Sequence, residues 1–443
     1  MTLQNMMAQH MTPRQQVQSL LDFIDASPSP WHVVETLAQR LNACGFRRLA
    51  ENQVWSLDAS GRYYVVRDDS SIIAFATGQN PLPSSGFKII AAHTDSPGLR
   101  VKPNPCMASD NLLRLAVEVY GGPILATFSD RDLGLAGRIA YKATDGSLAS
   151  RLLRSAEPLL RLPNLAIHMN RSVNEDGLKF NKQTELPLLF AASDSLADGE
   201  RFASWLQSAS DLSPEQILGW ELSVYDTQKG GFWGDDQAFY ANGQIDNLAS
   251  CHAGLSALLA ASEQETTTNT LVCAFFDHEE IGSESLKGAA GSFLPDVLQR
   301  IADGMDCKSG DYTRALANSL MISTDMAHAY QPNFPNAYES NHKIIVNQGP
   351  VVKINHNHRY ASTCLSEALF VDICQEIGVP LQKYVHRGDL ACGSTLGPIA
   401  SARLGIKTVD VGNPMWAMHS ARESAGVDDH AYMIRALSHF FAR

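Results

Sequence analysis

Apolar residues recur at helical spacing over residues 13–25 (PRQQVQSLLDFID), and the Ser27-Pro28-Ser29-Pro30 run ends that periodicity. Ser29 is placed to cap a second helix, with Pro30 at its first position, running to about Cys44. Strand-like runs follow at 53–58, 62–67, 71–77 and 87–92. The last, FKIIAA, is almost continuously apolar, as a parallel strand buried on both faces should be. From about 104 to 235 the texture changes. Short strand-like pieces at 112–120, 137–142 and 222–226 are broken by Gly, Asn and Asp clusters, with one helical stretch at 198–217. After about 240 the pattern alternates again. Strands are expected at 270–276, 319–323, 344–354 and 407–411, and helices at 247–262, 294–303, 362–377 and 428–441. The simplest architecture is one α/β domain, residues 1–103 plus 236–443, with a mixed, largely parallel sheet and helices on both faces. A β-rich insertion, residues 104–235, splits it.

Composition narrows the function classes. With 443 residues and 44% apolar positions the chain can bury a large core, and 19% charged residues is too few for a disordered chain. The net charge of −12 argues against nucleic acid as a partner, since that needs a basic stripe, and against a polybasic membrane contact. The eight cysteines form no CxxC pair and several sit in apolar runs, which fits a reducing compartment. The first residues, MTLQNMMAQHMTPRQQ, carry no apolar core of signal-peptide length, and no run reaches the ~18 apolar residues of a membrane span. A cytoplasmic protein is expected.

Candidate chemistry collects where apolar strands run into polar clusters. Ligands gather at the carboxyl ends of strands in open α/β sheets, so such residues can converge from distant positions. In FKIIAAHTDSPG (87–98), His93 and Asp95 lie two apart on an extended backbone and share a side, a pattern seen where a carboxylate orients a metal-bound imidazole. In GQIDNLAS (243–250), Asp246 is placed to bridge two cations, or simply to cap a helix. In LVCAFFDHEEIGS (271–283), an apolar strand runs into Asp277-His278-Glu279-Glu280, a charge density that is costly to bury without a cation. Adjacent carboxylates there allow one to ligate while the other serves as general base. Asp325 and His328 (ISTDMAHA) follow another strand, and His419 follows a Gly-Asn-Pro loop. Read blandly, each is ordinary loop polarity. Together they make a mixed N/O set suited to zinc, manganese or cobalt. Two cations about 3.5–4 Å apart would lower the pKa of a shared water and polarise a scissile carbonyl. A free α-amine binding one of them would make the enzyme an exopeptidase.

These stretches together resemble the aspartyl aminopeptidases, a branch of the co-catalytic two-metal aminopeptidases. The resemblance runs over nearly the whole chain. It is carried by AAHTDSPGLRVKP (91–103), DRDLGLAGR (130–138), PNLAIHMNR (163–171), FNKQTELP (180–187), IDNLAS (245–250), FFDHEEIGS (275–283), ISTDMAHA (322–329), GPVVKIN (349–355), HRGDLACGSTLGPI (386–399) and MHSARE (418–423). It departs at 120–131, YGGPILATFSDR, which lacks the tryptophans of the family pattern. The resemblance implies a zinc-exopeptidase-like fold with two Zn2+ per subunit, Mn2+ or Co2+ being possible substitutes. His93, Asp246, Glu280, Asp325 and His419 are the implied metal ligands, with Asp246 bridging. Glu279 is the implied general base and Asp95 the residue that orients His93. His168 is implied either as metal-associated or as reaching a neighbouring subunit's active site. Lys353, His328 and Tyr360 match positions that would recognise an acidic first residue, so the implied substrates are peptides beginning with Asp or Glu. The inserted domain would mediate self-association into a tetrahedral homo-oligomer, a dodecamer. A related exopeptidase or N-deacylase would share the fold and metals and differ in the first-residue pocket.

Overall fold

The computed structural model describes residues 11–192, 199–263, 267–308 and 310–443. Residues 1–10 and residue 198, the first of the expected 198–217 stretch, lie outside them. The first two helices form where the apolar spacing places them, at Pro13–Ala26 and Pro30–Ala43. Thr12 closes a capping box with Gln15 at the first. Ser29 precedes the second but does not cap it: its Oγ lies 2.7 Å from His32 Nδ1.

Nine strands make the main sheet, in the spatial order Arg47–Leu49, Arg62–Arg67, Ser71–Ala76, Thr270–Phe276, Phe87–His93, Leu320–Thr324, Lys407–Gly412, Val351–Ile354 and Gln382–Val385. The four central members, Thr270–Phe276, Phe87–His93, Leu320–Thr324 and Lys407–Gly412, run parallel. Antiparallel neighbours flank them on both sides, so the sheet is mixed. Thr270–Phe276 is buried at every position, which explains its unbroken apolar sequence. One sheet face packs on Pro13–Ala26, Pro30–Ala43, Ile245–Ser262, Cys364–Glu376 and Val427–Ala442 through residues such as Phe23, Leu248 and Phe440. The other packs on Phe293–Gly304 and Leu396–Leu404 through Phe87, Phe293 and Leu396.

Several sequence expectations shift, and the helical stretch expected at 198–217 is helical only over Glu200–Ser210, with a strand starting at Ile217. Residues 53–58 are not a strand. Trp55 and Leu57 pack on the core from an irregular loop, and the Asp58 N–H donates to the Tyr63 hydroxyl. Of the expected 344–354 strand only Val351–Ile354 forms, because Gly349 turns through φ +94° just before it.

A second, six-stranded antiparallel sheet carries its own core around Leu115, Leu135, Phe202 and Leu222. Its strand Gly98–Ser109 begins before residue 104, directly after the His93 segment. Arg138 on this sheet pairs with Asp68 of the main domain at 3.0 Å. Lys287 then links Asp68 (3.0 Å) to the buried Asp277 (3.1 Å). Charged groups thus tie the second sheet to the turn that follows Thr270–Phe276. A small third sheet joins Gly231–Trp233, Phe239–Asn242, Glu423–Gly426, Pro414–Trp416 and Ala327–His328. No helix among the described residues is long and apolar enough to cross a membrane.

Candidate metal centre

Three of the four parallel strands deliver a charged group at or just past their carboxyl ends. His93 is the last residue of Phe87–His93, Glu279 and Glu280 follow Thr270–Phe276, and Asp325 follows Leu320–Thr324. His419 lies on the segment beyond Lys407–Gly412 and adopts a left-handed backbone at φ +69°. Asp246 sits at the start of Ile245–Ser262, where its own backbone is not helical. The Asp246 peptide N–H instead donates to Glu423 Oε2 (3.0 Å).

Asp246 is the centre of the cluster. Its Oδ1 lies 3.5 Å from His93 Nε2, and its Oδ2 lies 3.5 Å from His419 Nε2. His93 Nε2 is also 3.6 Å from Asp325 Oδ1, while His419 Nε2 is 3.5 Å from Glu280 Oε2. One carboxylate therefore faces two groups of donors: His93 with Asp325, and His419 with Glu280. Each group can hold a cation, as can His93 with Glu279 and Glu280. Glu279 reaches His93 Nε2 at 4.0 Å and is not needed to complete either of the Asp246 groups.

Asp95 is fully buried beneath this array. Its two oxygens accept the peptide N–H groups of Glu279 and Glu280, both at 3.1 Å, and the Tyr120 hydroxyl at 2.7 Å. The ring contact to His93 is shared. Nδ1 lies 3.0 Å from the Asp95 carbonyl and 3.4 Å from its carboxylate. Glu423, which the sequence reading passed over, accepts the peptide N–H of both Asp246 and His419 (2.6 Å) from a fully buried position. Its motif, MHSARE, ends on this residue.

The electrostatics are those of a site built for positive charge. Burial, opposed by His93 and reinforced by Asp325, Asp95 and Asp246, pushes the Glu279 carboxyl up to about 8. Burial, with Asp246 alongside, raises Glu280 well above the ordinary carboxylate range. Burial alone would depress His419, but Asp246 and Glu280 hold it up at about 10. Buried Asp246 Oδ1 has no hydrogen-bond partner, and a buried carboxylate oxygen in that state calls for a cation. Two imidazoles and a set of hard carboxylates match zinc and its neighbours in the series.

Of the residues expected to meet substrate, Lys353 is buried and its Nζ lies 3.1 Å from Asp325 Oδ2 and 5.5 Å from the centre of the Tyr360 ring. His328 stands near Tyr384 and His386, and burial, then Lys353, pushes it down to about 4. His386, near His328, also lines an opening of about 600 Å3 together with Asn355, His358, Arg359, Arg387 and neighbours. His168 is exposed and belongs to none of the three metal-capable groups found among the described residues.

Comparison with known proteins gives the same direction. A probable M18 family aminopeptidase 2 from Ectopseudomonas mendocina (strain ymp) is 46% identical over 429 residues, covering 96% of this chain and 98% of its own. A namesake from Pseudomonas paraeruginosa is 46% identical over 431 residues, covering 96% and 97%. A cryo-EM structure of the Ape4 and Nbr1 complex contains a chain that is 36% identical and superposes with a TM-score of 0.92 over 97% of this chain and 86% of its own. The S. cerevesiae mApe1 dodecamer matches at 26% identity and a TM-score of 0.84, with 96% of both chains covered. The family model described as aminopeptidase I zinc metalloprotease (M18) matches residues 23–441, and the chain belongs to this family of peptide-bond-cleaving zinc metalloaminopeptidases.

Proposed function

We propose that the protein removes N-terminal Asp or Glu from peptides, with two cations held by His93, Asp325, Asp246, Glu280 and His419, and Asp246 shared between them. Zinc is the expected ion, with manganese or cobalt as functional substitutes. When bound, the ions would polarise the scissile carbonyl and acidify the attacking water. The protein's own groups do the rest. Glu279 takes the proton from that water and returns it to the departing amine. It is suited to this because it faces the cluster from beside His93 and is not needed to complete either of the Asp246 groups. Asp95 keeps the Glu279 and Glu280 turn and the His93 ring in register.

The observation that carries the acidic preference is Lys353. It is a buried cation beside the ligand cluster, with three N–H donors of which Asp325 engages one. The remaining donors, with neutral His328 nearby and the Tyr360 ring facing Nζ, would recognise a substrate carboxylate. The basic lining of the adjoining opening favours the same charge. The test compares kcat/KM for Asp, Glu, Leu and Ala aminoacyl substrates in wild type and Lys353→Met, with metal content measured alongside because Lys353 also touches Asp325. Acidic substrates should lead by at least tenfold and lose that lead in the variant. A wild type that prefers Leu, or a metal-loaded variant that still prefers Asp, rules out this pocket.

His168 acts, in this reading, at the active site of a second copy. It sits among the exposed apolar side chains Leu165, Ile167 and Met169, a surface suited to a subunit contact. Its assembly would be a tetrahedral dodecamer, the subunit count of the matched mApe1 dodecamer. Buried thiols such as Cys251 and Cys273 accord with a cytoplasmic setting.

A further inference from the structure

The two histidines of the cluster stand on different elements, His93 at the end of a main-sheet strand and His419 between two strands of the third sheet, yet one short turn of the second sheet reaches both, His419 directly and His93 through Asp95. Strand Leu112–Tyr120 ends there and continues into Gly121 and Gly122. The Tyr120 hydroxyl donates to Asp95 Oδ2, and Asp95 in turn faces His93 Nδ1. Two residues later the Gly122 carbonyl accepts from His419 Nδ1 at 3.0 Å. Between them, Gly121 adopts φ +66°, and a Cβ there would lie 3.1 Å from Glu280 Cβ and 3.2 Å from its carbonyl oxygen. The turn is therefore seated directly on a candidate ligand as well.

Its position is fixed from several sides. The Arg100 guanidinium stacks 3.7 Å from the centre of the Tyr120 ring. The Ile124 N–H donates to the His419 carbonyl (2.9 Å), and the Ala421 N–H donates to Thr127 Oγ1 (2.9 Å). The chemistry of an imidazole ligand explains what such a turn would do. A ring that donates through Nδ1 keeps its proton there and presents the Nε2 lone pair outward, and both Nε2 atoms face Asp246.

We propose that Tyr120–Gly122 is a positioning element of the metal centre. Tyr120 sets His93 through Asp95, and the Gly122 carbonyl sets His419. The second sheet is then a structural component of the catalytic centre in addition to any role in assembly. This rests on His93 and His419 being metal ligands. The proposal assigns Tyr120 a position-holding role only, since it touches neither ligand nitrogen itself.

The test strips the full-length protein with a chelator and titrates it with zinc by calorimetry. It uses wild type, Tyr120→Phe, Asp95→Asn and the double variant, with thermal unfolding to verify the fold. Wild type should bind two ions. Tyr120→Phe keeps the ring and loses one hydroxyl. It should weaken one of the two binding events by about 10- to 100-fold, as loss of an outer-shell partner does, and leave the other within about threefold. Asp95→Asn should weaken the same event, and the other as well because Asp95 also accepts the Glu280 N–H, and the double variant should fall no further than Asp95→Asn, because Tyr120 acts through Asp95. Gly121→Ala, which displaces the turn from both histidines, should weaken both events. Tyr120→Phe with wild-type affinity at both events, or additive losses in the double variant, overturns the proposal. A wild type that binds no zinc, or a His93→Ala variant that keeps both events, instead refutes the ligand assignment beneath it.

Discussion

Glu279 and Glu280 are sequence neighbours whose peptide N–H groups are bound by the two oxygens of the same carboxylate, Asp95. Their side chains diverge. Glu280 turns to His419 and Asp246, and Glu279 to His93. Glu279→Gln keeps the shape and the oxygen acceptor but cannot hold a proton. Zinc stoichiometry should stay at the wild-type value while kcat falls by roughly 10²- to 10⁴-fold, the share a general base supplies. Metal analysis and steady-state kinetics on one preparation check this. Loss of zinc together with activity would make Glu279 a ligand instead. Residues of this kind were legible in sequence because each ends an apolar run. Glu423 and Tyr120 were not. Both act through backbone N–H groups or a second carboxylate, and such contacts leave no periodic signal.

The elements that hold the site approach each other closely. Lys407–Gly412 runs beside Leu320–Thr324, and the Asp325 N–H donates to the Val411 carbonyl. A Cβ on Gly412 would sit 1.8 Å from the Asp325 carbonyl oxygen, which is backbone and cannot swing aside. Gly412→Ala must therefore part the two strands at the point where Asp325 leaves them. The expected cost is about 1–3 kcal/mol of stability, as for other overpacked sites, with weaker metal binding. Urea unfolding and zinc titration measure the two effects, and an unchanged midpoint would contradict the close approach. The strands with continuous apolar sequence were legible from pattern alone, Thr270–Phe276 above all. Gln382–Val385 was not, since an edge strand with polar residues has no such pattern. A largely parallel sheet was expected, but the spatial order of its four central strands was not legible, because spatial neighbours there are far apart in sequence. Trp55 and Leu57 misled in the other direction: apolar residues in a loop that packs on the core read like a strand.

The whole molecule buries several histidines in neutral form. His252 Nδ1 lies 2.9 Å from His430 Nε2 in the core, where burial pushes His430 down to about 3. Burial, aided by Arg154, pushes His32 down to about 4. An unfolded histidine takes up its proton near pH 6.5, so the unfolded chain binds more protons than the folded one below that point. These groups therefore support the fold fully above pH 6.5 and lose that support as pH falls toward 4. For His32 the full span is worth roughly 3 kcal/mol. Asp429, held up at about 8 by burial, acts with opposite sign: its support is greatest at low pH and fades as pH rises toward 8. A comparison that isolates one group is cleaner than the total. Between pH 6.5 and 4.5, wild type should lose more stability than His32→Gln, so that the gap between them narrows. Urea midpoints at several pH values read this directly. Parallel curves would mean that His32 titrates normally in the fold.

His93 and His419 are the first and last members of the ligand cluster along the chain. A ribosome releases the polypeptide from its N-terminus, and His93, Asp246, Glu280 and Asp325 all emerge before His419. Throughout that interval Asp246 has Glu280 but lacks His419 on one of its two sides. If these residues are the ligands, as proposed, a nascent chain carries no complete centre until the His419 segment has emerged and docked. Nearby N-termini then meet a finished peptidase only after that segment has docked.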